Sequence, residues 1–94
     1  MVSIKKKYKF DLFISGKTDL SNFAIGNIKR ILEKNISGQY QFDIIDIQEH
    51  PEIASREQII TIPILIKKLP LPEVRMTGDF SDSQKVLHDL LIYN

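Results

Sequence analysis

The chain has no cysteine and no tryptophan in its 94 residues. The missing cysteine excludes disulfides, thiolate metal sites and every form of thiol redox chemistry, because the thiolate is the reactive species in all of them. Charge of one sign is also lacking. Thirteen Lys and Arg stand against twelve Asp and Glu, a formal net charge of +1, which gives no overall field to draw in nucleic acid or an anionic membrane. No apolar stretch nears the ~20 residues that a membrane-spanning helix needs. The first residues, Met1-Val2-Ser3-Ile4-Lys5-Lys6-Lys7, carry positive charge without the apolar core of a signal peptide, so a cytoplasmic location is expected. With two histidines in all, and neither beside a partner at ligand spacing, no metal site is expected.

What is present suits one globular domain over residues 1–94, with 43% hydrophobic and 27% charged residues. Residues 1–7 read as a solvated basic lead-in. Tyr8, Phe10, Leu12 and Ile14 then alternate with Lys9, Asp11, Phe13 and Ser15, the period of a strand. Gly16-Lys17-Thr18 follows. A phosphate-binding loop would need a glycine five positions before Gly16, where Asp11 stands, so Gly16 is read as the turn that ends the strand. Thr18 or Asp19 caps a helix whose apolar residues are Leu20, Ala24, Ile28, Ile31 and Leu32. Phe23, beside that stripe, is open to two readings, partial core or partner-facing aromatic.

Beyond the stop at Asn35 to Gly38, Tyr40, Phe42 and Ile44 alternate and merge into Ile44-Ile45-Asp46-Ile47, as expected of a strand covered on both faces. His50-Pro51-Glu52 opens a short second helix running toward Gln58, with His50 as cap or surface residue. Pro63 opens the third strand, within the β-branched run Ile59 to Ile66, and Ile62-Pro63 is a candidate cis bond. Leu69-Pro70-Leu71-Pro72 is a stiff connector too short for a crossover, so the strand from Val74 to Thr77 pairs antiparallel with the third. Gly78-Asp79 turns the chain into Ser81-Asp82-Ser83-Gln84, which has capping-box spacing, and Val86, Leu87, Leu90 and Leu91 predict a final helix to about Tyr93. The order is β-α-β-α-β-β-α around a four-stranded mixed sheet, an α/β arrangement that resembles thioredoxin. Where a thioredoxin carries its two cysteines, this chain has Gly16-Lys17-Thr18-Asp19.

Catalytic groups do not assemble from this pattern. Asp43, Asp46, Glu49, Glu52 and Glu57 are scattered over several elements, and the serines have cap and turn explanations, so the chain is read as a non-enzyme without a cofactor.

From Tyr8 to Asp82 the sequence resembles the KaiB family. The matching pieces are Leu12-Phe13-Ile14-Ser15-Gly16, Ile31-Leu32-Glu33, Tyr40, Ile44-Ile45-Asp46-Ile47, Pro51 and Ile59-Ile60-Thr61-Ile62-Pro63. They continue with Lys68-Leu69-Pro70-Leu71-Pro72, Arg75, Gly78-Asp79-Phe80-Ser81-Asp82 and Lys85-Val86-Leu87. The resemblance implies a non-catalytic circadian regulator that binds a KaiC-like ATPase, with a histidine kinase or another signalling protein as a further partner and a homodimer or homotetramer as its own assembly. A stress-linked, thioredoxin-like binding module without clock partners is the other reading.

The resemblance also implies two folds for one sequence: the thioredoxin-like order above and a ground state of β-α-β-β-α-α-β order in which the second half is rearranged. Residues expected to bear on that choice are Pro63, as a hinge, with Gly78, Asp89 and Leu91. Asp89 and Leu91 fall where cyanobacterial members have a glycine and an aspartate, and losing a helix-weakening glycine favours the thioredoxin-like form. The expected partner surface comprises the first helix, second strand and second helix, with Tyr40 and Arg75 contributing. Phe23, Asp43 and Gln58 stand there at positions the family makes basic.

Overall fold

The computed structural model describes residues 6–92. Most of the basic lead-in and the expected end of the last helix at Tyr93 lie outside the described residues. Strand β1 (Tyr8–Ile14) shows why the chain forms layers. Its even-numbered residues Tyr8, Phe10, Leu12 and Ile14 join one core cluster and Phe13 joins another, because successive strand side chains point to opposite faces.

Helix α1 (Asp19–Ile36) starts at Thr18 through a reciprocal capping pair. The Ser21 backbone N–H donates to Thr18 Oγ1 at 3.0 Å, and the Thr18 backbone N–H donates to Ser21 Oγ at 2.9 Å, satisfying two donors that the first turn would otherwise leave open. Then follow β2 (Tyr40–Asp46), α2 (Pro51–Arg56), β3 (Ile64–Leu69), β4 (Val74–Thr77) and α3 (Ser83–Asp89). The order is the thioredoxin-like one read from the sequence; the alternative β-α-β-β-α-α-β order is not adopted. The sheet runs β2-β1-β3-β4, with β1 and β2 parallel and the other two pairs antiparallel. Helices α1 and α3 cover the face of Phe10, Leu12 and Leu65, while Ile53 of α2 packs against Phe13, Ile64 and Ile66 on the other.

Several local expectations are corrected. No residue of β2 is buried and Ile44 is 39% exposed, since β2 is an edge strand with β1 as its one neighbour. Leu20, expected in the core, is 52% exposed, because the first turn of α1 precedes the packed stripe that begins at Ala24. The third strand starts at Ile64, with Pro63 the buried residue before it, and takes in Leu69. The bonds Ile62–Pro63, Leu69–Pro70 and Leu71–Pro72 are all cis. The cap of α3 is Asp82, accepting the Lys85 backbone N–H at 3.1 Å. Ser81 stands one residue outside the cap, its N–H donating to Asp79 Oδ1 at 3.0 Å.

Both short helices end alike. After α2 the Gln58 N–H donates to Ser55 O and the Ile59 N–H to Ala54 O; after α3 the Leu91 N–H donates to His88 O and the Ile92 N–H to Leu87 O. These are Schellman closures, which place the residue just past the cap in the left-handed region, usually a glycine. Here they are Gln58, at φ 56°, and Leu91, at φ 55°. Leu91 ends the final helix four residues earlier than its apolar period suggested, counted from Tyr93 to Asp89. Gly78, at φ 128°, turns the chain after β4, so that Phe80 enters the core with 2% exposure.

Candidate partner interface

The residues expected to meet a partner divide into separate places. Tyr40 begins the edge strand β2, and its hydroxyl donates to Glu33 Oε2 at 2.8 Å, while Ser37 Oγ donates to Glu33 Oε1 at 2.7 Å. Those two bonds hold the Glu33 carboxyl below its ordinary range. Burial, then the Glu33 contact, pushes the Tyr40 phenol up. Asp43 lies on the opposite side of the same strand, its carboxylate 2.8 Å from Lys9 Nζ, which also pairs with Asp11. The Lys9 bond is the main reason that Asp43 sits low. Partial burial works to lower the Lys9 ammonium, but the two carboxylates outweigh it and raise it. Asp43 is therefore a member of a cross-strand ion cluster, not a free charge.

Gln58 and Arg75 are brought together. The Arg75 guanidinium on β4 donates from Nη2 to Glu57 O at 2.6 Å and from Nη1 to Gln58 O at 3.4 Å. A cation on the last carbonyls of a helix meets both their lone pairs and the negative end of the dipole. Arg75 thus fastens the end of α2 to the far edge of the sheet, where Lys68 bridges Glu57 and Glu73. Phe23 is on α1, an element that carries none of the other four. It shares the flank of α1 that carries Asn27 and Arg30, four and seven residues on, and Asn27 Nδ2 donates to Asp79 O at 2.9 Å. Glu33 and Tyr40 mark the opposite flank.

A different set of exposed side chains does gather by topology. The end of β1, the start of α1, the end of β2 and the start of β3 share one end of the sheet, since β3 runs antiparallel to β1 and pairs Ile64 with Phe13. There Leu20 is 52%, Phe23 53% and Ile60 92% exposed. The turn between them is rigidly held. Asp46 Oδ1 accepts the N–H of Gly16 at 3.0 Å and of Gln48 at 2.9 Å, and these bonds lower the Asp46 carboxyl. Gly16 has φ 71° and a Cβ there would sit 3.4 Å from the Gln48 amide. Periodicity assigned Leu20 to the core and Ile60 to an apolar run, so both were missed. The signal that could have found Ile60 is Pro63, which delays the start of the strand.

A model of the KaiB domain matches residues 11–92, most of the chain. The chain belongs to the KaiB family. It is 39% identical over 94 residues to the circadian clock oscillator protein KaiB of Rippkaea orientalis, covering 99% of this chain and 90% of that one. It is 45% identical over 76 residues to circadian clock protein KaiB3 of a Synechocystis strain, covering 81% and 74%. Among solved structures, the N-terminal domain of Synechococcus elongatus SasA superposes with a TM-score of 0.75 at 18% identity, over 99% of this chain and 91% of that one. Mitochondrial thioredoxin 3 of Saccharomyces cerevisiae gives 0.72 at 10%, over 94% and 80%. Identities that low speak for the fold alone, and the fold is thioredoxin-like. Among the described residues of this KaiB-family chain no helix is long and apolar enough to cross a membrane, and no group of three or more His, Asp or Glu is placed to hold a metal ion.

Proposed function

We infer that this KaiB-family chain is a non-catalytic clock regulator that docks on a KaiC-like ATPase in its thioredoxin-like form. The observation that carries the reading is the exposure of Leu20, Phe23 and Ile60 at the sheet end, where a cysteine-bearing relative of this fold would do its chemistry. Large exposed apolar side chains at one end of a sheet are what a partner desolvates, and a few such anchors supply most of the energy of a protein interface. Asp43, held by Lys9, lies midway along the neighbouring edge strand, whereas Tyr40, held by Glu33, stands at the far end of that strand and serves the fold there. Gln58 and Arg75 act by holding the end of α2 in place.

Sedimentation velocity with a KaiC-like ATPase, with and without ATP, tests the reading. A complex should form, and Phe23→Ala or Ile60→Ser should weaken it about tenfold, the equivalent of losing one anchor of roughly 1.4 kcal/mol. Absence of any complex in either nucleotide state overturns the adaptor role. A complex indifferent to both substitutions keeps the role and moves the interface elsewhere.

A further inference from the structure

Three cations on α1, Lys29, Arg30 and Lys34, have no carboxylate within ion-pair distance among the described residues, and two of them, Arg30 and Lys34, share one groove. Among the described residues, Lys9, Lys68, Arg75 and Lys85 all have a carboxylate within ion-pair distance, whereas neither Arg30 nor Lys34 does. One helical turn apart, they line the same wall of a groove between α1 and α3 of about 210 Å³. Ser83 and Gln84 line the groove as well, with Ile31, Asn35 and Leu87. Glu33, the acid next to Lys34, is committed to Ser37 and Tyr40, and Asp82 is committed to the Lys85 backbone.

Arg30 is also held in place. Its Nη2 donates to Asn27 Oδ1 at 2.6 Å, and Asn27 is 3% exposed and anchored at its other end to Asp79 O. A buried amide satisfied on both sides fixes the guanidinium before any ligand arrives, which lowers the ordering cost of binding. Within the fold the guanidinium serves the buried Asn27 oxygen; it closes no ion pair and covers no helix end, so its charge is left unneutralised.

We propose that the groove between α1 and α3 binds a phosphate dianion, free or as a monoester, with Arg30 and Lys34 neutralising its charge and the Ser83 hydroxyl and Gln84 amide donating to its remaining oxygens. Two unneutralised cations with two neutral donors match a dianion of three acceptor oxygens better than a single carboxylate. The volume falls below the ~300 Å³ at which pockets begin to hold drug-sized ligands, so the site takes the phosphate group and little more. The source is free phosphate or a phosphorylated side chain of another protein.

The test is a 1H–15N NMR titration at constant ionic strength with inorganic phosphate, with the tripeptide glycyl-phosphoseryl-glycine, and with acetate as control. Saturable shifts should appear at Ser83, at Lys34 and at the side-chain amides of Gln84 and Asn35. Lys34→Gln, on an exposed position, and Arg30→Lys, which keeps the charge but loses the fork, should each weaken binding about tenfold or more, as expected for a lost charge-assisted hydrogen bond. Tighter binding of the phosphotripeptide than of phosphate assigns the site to a phosphorylated protein; equal binding assigns it to the free anion. The proposal is overturned if the shifts fail to saturate, if acetate reproduces them, or if both variants bind phosphate as the parent does.

Discussion

Gln58→Gly should stabilise the protein, although glycine usually weakens it. Gln58 closes α2 at φ 56°, and a residue with a Cβ held there costs roughly 1–2 kcal/mol. Its side chain is exposed, and its part in the helix end is made by backbone groups: its N–H reaches Ser55 O and its carbonyl accepts from Arg75. Glycine keeps all of these and removes the strain, while giving back about 0.5–1 kcal/mol through the extra freedom of the unfolded chain. The net is a gain of about 0.5–1 kcal/mol. For a domain of this size each kcal/mol is worth roughly 4–8 °C, so the gain is readable both by urea titration and by thermal melt. Gln58→Ala is the control, because it removes the side chain and retains the strained φ; it should lie within about 0.5 kcal/mol of the parent. A glycine variant no more stable than the alanine variant would refute the reasoning, since the left-handed backbone would then carry no cost.

Lys67 is 1% exposed, and desolvation, with no counter-charge in play, lowers its ammonium below the ordinary 10.5. Lys67→Met should therefore be the more stable form at neutral pH, because it keeps the packing of the stem and removes the desolvation cost of the ammonium. Because the folded value is the lower one, the parent gains stability as pH rises from that value toward 10.5, and urea titrations should show its deficit against Lys67→Met shrinking over that range. Asp46, lowered by the Gly16 and Gln48 N–H groups from its ordinary 3.8, contributes stability that is present above that value and lost as pH falls through the folded one. Asp46→Asn should flatten the acid limb of a pH-melting profile. Thr18→Ala removes one half of the capping pair on α1 and should cost about 1 kcal/mol by urea denaturation, within the usual range for a lost N-cap.

The fold was legible because its signals are local and agree with one another. The alternation of Tyr8 to Ile14, the Thr18 cap, Pro51 at the start of α2 and the short span from Leu69 to Val74 each point to one element, and together they admit the observed order. The site was less legible because its residues are defined by what fails to cover them. Nothing in the pattern of Leu20 separates it from Ala24 or Ile28, and its exposure follows from where the helix begins relative to the sheet. The pairing of Asp43 with Lys9 and of Arg75 with the carbonyls of Glu57 and Gln58 is not legible in the sequence, since the first forms between β1 and β2 and the second between β4 and the end of α2.

Residues 89 and 91 occupy different places at the end of the last helix, and the two places carry different energies. The loss of a glycine at Asp89 was expected to favour the helical form by relieving a weak point inside the last helix. Asp89 is instead the final helical residue, where Lys85 Nζ pairs with it at 2.9 Å across one turn, so a glycine there would cost less than the interior value. At Leu91 the sign reverses. It occupies the left-handed position that a helix end reserves for glycine, at φ 55°, and a leucine there costs about 1 kcal/mol or more. What holds the turn is packing: Leu90 and Ile92 are 0% and 6% exposed, and Leu87 leans on the same core. The final helix of this chain thus rests on buried apolar side chains that outweigh an unfavourable backbone, and not on high helix propensity. Leu91→Gly should keep that packing and relieve the strain, whereas Leu90→Ala should cost 2–5 kcal/mol, the usual range (about that of any buried Leu→Ala). If the fold can be tipped by one residue near the end of the chain, Leu90 is the residue, and the loss of helical amide shifts from Ser83 to Asp89 in Leu90→Ala is the observation that checks it.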